Sequence, residues 1–236
     1  MPEPLVFLPG LMADLRQFAP QIGVFSPDRA VMVAPLQGGE RIEEMASGLL
    51  DVLPKRSALV GAGLGGMVAL EVIRRAPDRV ARLALMDTTP LAATPQQVAD
   101  IEPRIIRARA GKFSEVMAEE VAAADLAPGP QRAEVLALVA EMARGLGPEA
   151  YVRQSRALQR RRDQQGTLRR INAPVLVLCG AQNRRYEAKR HAFMAELIPG
   201  AKLAVIEGAG LLPTLEQPEA VVAALRDWLK MPLLLR

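Results

Sequence analysis

Through the first ninety residues, short apolar runs alternate with stretches whose apolar residues recur every three or four positions. The runs at residues 5–8, 30–35, 57–60 and 80–86 have the character of buried strands. Residues 14–25 repeat instead through Leu15, Phe18 and Ile22, and residues 41–53 through Ile42, Met45, Leu49 and Val52, which predicts helices. Strand alternating with helix is the mark of a parallel sheet covered on both faces. From about residue 91 to residue 172 the pattern turns wholly helical, with helices expected at 95–110, 113–124, 132–144 and 148–161. The alternation resumes with a strand at 174–179, a helix at 187–198, a strand at 201–206 and a closing helix at 218–229, whose Trp228 is expected to pack on the sheet. The fold class is α/β: a mostly parallel, doubly wound sheet built from residues 1–90 and 173–236, with an inserted all-helical cap over 91–172.

The densest signal is the stretch Ser57-Ala58-Leu59-Val60-Gly61-Ala62-Gly63-Leu64-Gly65-Gly66-Met67. An apolar run meets a cluster of glycines and passes into an amphipathic helical pattern, which reads as strand, tight turn, helix. This layout resembles the nucleophile elbow, G-x-S-x-G, of the α/β-hydrolase family, and the chain resembles that family's small esterase-like and lipase-like members. Two further stretches carry the resemblance in the right order. Leu5-Val6-Phe7-Leu8-Pro9-Gly10-Leu11-Met12 is similar to the strand and loop that supply half of the oxyanion hole. Val205-Ile206-Glu207-Gly208-Ala209-Gly210-Leu211-Leu212-Pro213 is similar to the last strand and the histidine loop after it.

The same motifs show where the chain departs from the family. Gly63 stands where the resemblance places the nucleophilic serine, Asn183 where it places the acid, and Leu211 where it places the histidine. A serine hydrolase needs a hydroxyl, an imidazole to take its proton and a carboxylate to orient that imidazole. None of these three residues does any of those jobs. The resemblance further implies an oxyanion hole formed by the backbone amides of Leu11 and Leu64, and a pocket bordered by Gly10, Met12, Ala62, Arg184, Arg185, Tyr186 and Leu212. Replacing serine by glycine and histidine by leucine leaves a greasier cavity, in which Arg184, Arg185 and Tyr186 are candidates for a polar or anionic ligand end.

Composition narrows the classes. The chain has 236 residues, half of them apolar, with no apolar run of the ~20 residues that span a bilayer. Residues 1–4 lack the basic and apolar regions of an export signal, so a cytoplasmic protein with no membrane partner is expected. The net charge of +4 comes from arginines set among acidic neighbours, and aromatics make up only 3% of the chain. Residues 160–162 and 169–170 therefore read as solvated helix ends rather than as a nucleic-acid surface. His191, the single histidine, reads as a helix-surface or partly packed residue, Cys179 as a small core residue, and Asp87 as a carboxylate that fixes its loop. Helix capping accounts for Glu216. No metal-ligand cluster and no cofactor signature are found, so neither group is expected.

Two functional readings follow. One is a hydrolase scaffold stripped of its triad that binds a small molecule, apolar and ending in an anionic or carbonyl group. The other is an active enzyme that uses the oxyanion hole with a non-standard base.

Overall fold

A computed structural model of the chain describes residues 2–233. Its elements run β1 (Leu5–Leu8), α1 (Ala19–Phe25), β2 (Val31–Val33), α2 (Ile42–Val52), β3 (Ser57–Ala62), α3 (Leu64–Arg75) and β4 (Val80–Met86). Then come α4 (Pro95–Arg107), α5 (Phe113–Glu120), α6 (Arg132–Gln159), α7 (Gln165–Leu168), β5 (Val175–Gly180), α8 (Ala188–Glu196), β6 (Lys202–Ile206), α9 (Pro213–Glu216) and α10 (Pro218–Leu229). The strands form one sheet in the order β2-β1-β3-β4-β5-β6, and every neighbouring pair is parallel. Direction of travel across the sheet reverses between β1 and β3, the switch point outside which open α/β sheets bind ligands.

Strand periodicity sorts the core into two layers. Val6, Leu8, Leu59, Leu83, Leu85 and Val177 face α2, α3 and α8, where Met45, Leu49, Leu70 and Met194 meet them. Leu5, Phe7, Val60, Met86 and Leu178 face α1 and α10. On that side Trp228 is buried and donates its indole N–H to the Pro174 carbonyl at 3.2 Å, which joins the closing helix to the start of β5. Between β4 and β5 the described chain is helical without strands, and it carries a small core of its own around Ile105, Val116, Tyr151 and Val152.

Several boundaries differ from the sequence reading for identifiable reasons. The helix expected over 14–25 divides into a 3-10 turn, Leu15–Phe18, capped by the Asp14 carboxylate, and α1, which starts beside Pro20. Proline has no N–H with which to continue the preceding turn. Strand β2 is shorter than expected because it lies at the sheet edge and Pro35 follows one last ladder bond, Ala34 N–H to the Phe7 carbonyl. The helices expected at 132–144 and 148–161 form one 28-residue element broken at Gly147, whose φ of 79° and ψ of 169° are not helical. Gln154 then ties the second arm to the sheet: its side chain accepts the Met12 N–H at 2.8 Å and donates to the Leu36 carbonyl at 2.9 Å.

Candidate active site

Strand β3 ends at Ala62, helix α3 begins at Leu64, and Gly63 makes the whole turn with φ 51° and ψ −114°. That is a conformation side chains resist. Its N–H donates to the Met86 carbonyl at 2.9 Å, and its carbonyl accepts the Thr88 hydroxyl at 2.7 Å, so the turn is held from β4. Two other residues at the carboxyl edge, Met12 (φ 53°) and Asp87 (φ 42°), also adopt left-handed backbone without being glycine. Strain of this kind collects at sites rather than in ordinary loops. Gly10 N–H is taken by the Gln17 side chain at 2.8 Å. The amides of Leu11 and Leu64 have no acceptor among the described residues, and both border the same cavity.

Asn183 follows β5 and is buried. Its side-chain N–H donates to Asp87 at 2.6 Å, while its carbonyl oxygen accepts the N–H groups of Arg185 and Tyr186 at 2.9 Å each. Asp87 also accepts the Gly180 N–H at 3.2 Å, and it borders the cavity whereas Asn183 does not. Burial pushes the Asp87 carboxyl well above the usual carboxylate range, more than its two hydrogen bonds pull it down. At the other side, the Leu211 N–H donates to the Asp125 carbonyl at 2.9 Å. The flanking amides of Gly210 and Leu212 donate to the buried Glu216 carboxylate at 2.9 and 2.8 Å, and the Ala127 amide joins them at 2.7 Å. Glu216 is thus more than a helix cap: it fastens the Leu211 loop to the segment that enters α6.

These loops surround a cavity of about 310 Å³, near the lower bound of small-molecule sites. Gly10, Leu11, Met12, Ala62, Gly63 and Leu64 border it from β1, β3 and α3. Leu211, Leu212, Arg185 and Tyr186 border it from the loops after β6 and β5, and Met117, Val139 and Leu158 close it from α5 and α6. Arg184 does not take part. It points to a separate cleft with Gln182, Asn183 and Glu187, because the Asn183 side-chain carbonyl gathers the amides two and three residues on and turns Arg185 and Tyr186, not Arg184, toward the cavity.

Other residues proved more buried or more engaged than their sequence context suggests. His191 is only 1% exposed, its Nε2 has no partner, and it lies outside the cavity. Burial lowers its pKa below the ordinary histidine value. Cys179 is enclosed in β5 and its thiol is pushed up to about 12 by burial, which leaves no thiolate to react. Glu120 was not expected at the site. It accepts the Tyr151 hydroxyl at 2.6 Å and an Arg104 N–H at 3.2 Å, a buried acid already committed to partners. Arg161, expected on a solvated helix end, instead borders the cavity. Among the described residues no group of His, Cys, Asp or Glu is placed to hold a metal, and no helix is long and apolar enough to cross a membrane.

Comparison with known proteins gives a consistent set of likenesses. A family model described as "Alpha/beta hydrolase family" matches residues 5–224. The chain is 28% identical over 197 residues to a pimeloyl-(acyl-carrier protein) methyl ester esterase of Photobacterium profundum, covering 81% of this chain and 77% of that protein. The esterase of the same name from Aromatoleum aromaticum is 28% identical over 208 residues, 80% of each chain. Among solved structures, a thermophilic esterase from Thermogutta terrifontis, determined with malate bound, superposes with a TM-score of 0.87 at 27% identity over 97% of this chain and 89% of its own. An enol-lactonase from Burkholderia xenovorans shares the fold with a TM-score of 0.85 at 23% identity, over 98% and 92% of the two chains.

Proposed function

Because the chain belongs to the α/β-hydrolase family, whose model spans residues 5–224, we propose that it is an esterase-like scaffold that binds a small carbonyl compound without serine-type turnover. Residues 91–172 serve as a cap over the core formed by 1–90 and 173–236, and the protein works in the cytoplasm on a small molecule. The observation that carries the reading is the apex at Gly63. The turn keeps the backbone angles of an elbow but presents no side chain, while the amides of Leu11 and Leu64 stand beside it without acceptors. A ligand carbonyl or carboxylate oxygen is the natural acceptor for two such donors, one of them at a helix N-terminus. The Leu211 side chain adds hydrocarbon where a proton acceptor would be needed, and apolar burial there contributes ~25 cal/mol per Å² before association costs. The relatives are named for acting on a methyl ester and on an enol-lactone, and the carbonyl of such a group is the kind of acceptor that two such amides suit.

A triple reversion tests this. A Cβ built at Gly63 meets nothing closer than the Gly10 Cα at 3.7 Å, so Gly63→Ser fits the apex. Asn183→Asp sets a second carboxyl against Asp87, which is tolerable because burial already shifts Asp87 toward its neutral form, the form that can donate to a neighbouring carboxylate. With Leu211→His added, p-nitrophenyl acetate hydrolysis is expected to rise from background and show an acyl-enzyme burst. A burst from the unaltered chain would overturn the reading. Turnover by the unaltered chain that disappears in Asp87→Asn would support the other reading, since Asp87 is the ionisable group beside the apex that could serve as its non-standard acid or base.

A further inference from the structure

Three consecutive arginines follow α6, and they differ in one respect. Arg160 pairs with Glu40 at 2.9 Å and Arg162 with Glu43 at 2.9 Å. Arg161 turns inward, where its N–H groups donate to the Leu91 carbonyl at 3.0 Å, the Leu158 carbonyl at 2.9 Å and the Gln97 side-chain oxygen at 2.7 Å. All three acceptors are neutral. Among the described residues no carboxylate lies within ion-pair distance of Arg161. A guanidinium carries five N–H donors, so two remain for something else. Holding a half-buried cation with neutral oxygens alone is costly, and a buried charge ordinarily has a counter-charge.

The other cations of the cavity wall are not in this state. Arg104 and Arg185 lie 3.2 and 3.8 Å from Glu120, and Arg185 also meets Asp125 at 3.3 Å, while Arg190 is solvent-exposed. Tyr186 lines the same cavity as Arg161. Its hydroxyl has no hydrogen-bond partner among the described residues, although the residue borders the cavity. Burial pushes the Tyr186 phenol up, and the positive charges of Arg161 and Arg185 pull it part of the way back.

We infer that Arg161 and Tyr186 form an anion subsite in the cavity, and that the ligand is a short bifunctional acyl compound with a carboxylate for this subsite and a carbonyl for the Leu11 and Leu64 amides. The inference rests on the ligand-binding reading above. Two free guanidinium N–H groups and one phenol O–H match the lone pairs of a carboxylate, and Met117, Val139 and Leu158 of the same cavity lining suit the methylenes of a short acyl chain.

Monomethyl adipate and dimethyl adipate have the same chain and differ in one charge. In isothermal titration calorimetry at pH 7 with the whole chain, the monoester is expected to bind about tenfold or more tightly than the diester, the scale of one charge-assisted contact. Arg161→Gln should abolish that preference, Arg161→Lys should keep part of it, and Tyr186→Phe should reduce it severalfold. Since Arg161 also ties Leu91 to Leu158, Tyr186→Phe decides the matter if Arg161→Gln fails to melt cooperatively. Equal affinity for the two esters would overturn the subsite and leave the ligand-binding reading standing. Binding of neither ester would overturn both, and a preference that survives in folded Arg161→Gln and in Tyr186→Phe would overturn the subsite.

Discussion

Removing the carboxylate of Glu216 measures how firmly the Leu211 loop is tied to the insertion. One oxygen of the Glu216 carboxylate accepts the Gly210 and Ala127 amides and the other accepts the Leu212 amide. Gly210 and Ala127 are buried, while Leu212 is partly open to water. Glu216→Ala orphans two buried donors and one that water can reach, at ~1–3 kcal/mol for each buried group, so a loss of about 3–5 kcal/mol is expected. Glu216→Gln keeps an oxygen for the paired amides but turns its –NH2 against the Leu212 N–H, which costs about 1–2 kcal/mol. Urea unfolding monitored by circular dichroism gives both values. Against a total stability of ~5–15 kcal/mol the alanine variant is a large fraction, and its ligand affinity should fall as well, because Leu211 borders the cavity on this loop. An alanine variant that loses less than about 1 kcal/mol, or a glutamine variant that loses as much as alanine, would refute the reasoning.

Asp87 and His191 are expected to give pH dependences of opposite sign. The folded-state pKa of Asp87 is raised by burial, so its contribution is complete below its unfolded value of 3.8 and is lost as pH rises through the folded value. Asp87→Asn keeps an oxygen for Asn183 and Gly180, and a pH series of melting temperatures should show a shallower decline on the alkaline side of pH 3.8; parallel profiles would contradict this. Burial lowers the pKa of His191 from 6.5, so the unfolded chain takes up the proton first on acidification, and stability falls as pH drops below 6.5. His191→Leu should remove that acid-side loss in the same melts. Gly65→Ala would drive a Cβ to 2.0 Å from the Leu8 carbonyl oxygen and is expected to cost about 3 kcal/mol or more, beyond the usual range for overpacking. Gly63→Ala meets no such contact and should cost only the ~1–3 kcal/mol of a side chain held at φ 51° and ψ −114°, so its melting temperature should stay the higher of the two.

The sheet was legible because its strands are continuous apolar runs, and the helices because their apolar stripes repeat; both signals are local. What failed to show was side-chain direction within polar segments. Arg160, Arg161 and Arg162 are chemically identical in the sequence, and only the fold, by placing Glu40 and Glu43 beside two of them, singles out the third. Arg184 and Arg185 are likewise neighbours, separated in role by a carbonyl oxygen on Asn183. Glu216 sits where a helix cap is ordinary, and nothing local announces that residues as distant as Ala127 will bring an amide to it. The turn at Gly63 and the loops at Asn183 and Leu211 were readable because glycines and short strands spell out their surroundings. The cavity wall contributed by α5 and α6 was not, since Met117, Val139 and Leu158 occur in helices that also need such residues for their own packing.

The glycines around the elbow answer to packing. A Cβ at Gly61 would come within 2.4 Å of the Gly65 carbonyl oxygen, and one at Gly66 within 2.7 Å of the Thr88 side chain, whereas Gly63 has room to spare. The spelling that marks a hydrolase is therefore enforced by how near a helix must approach three strands, and it persists whatever the reaction. Any chain whose helix must come this near is held to that spelling, whichever side chain stands at its apex.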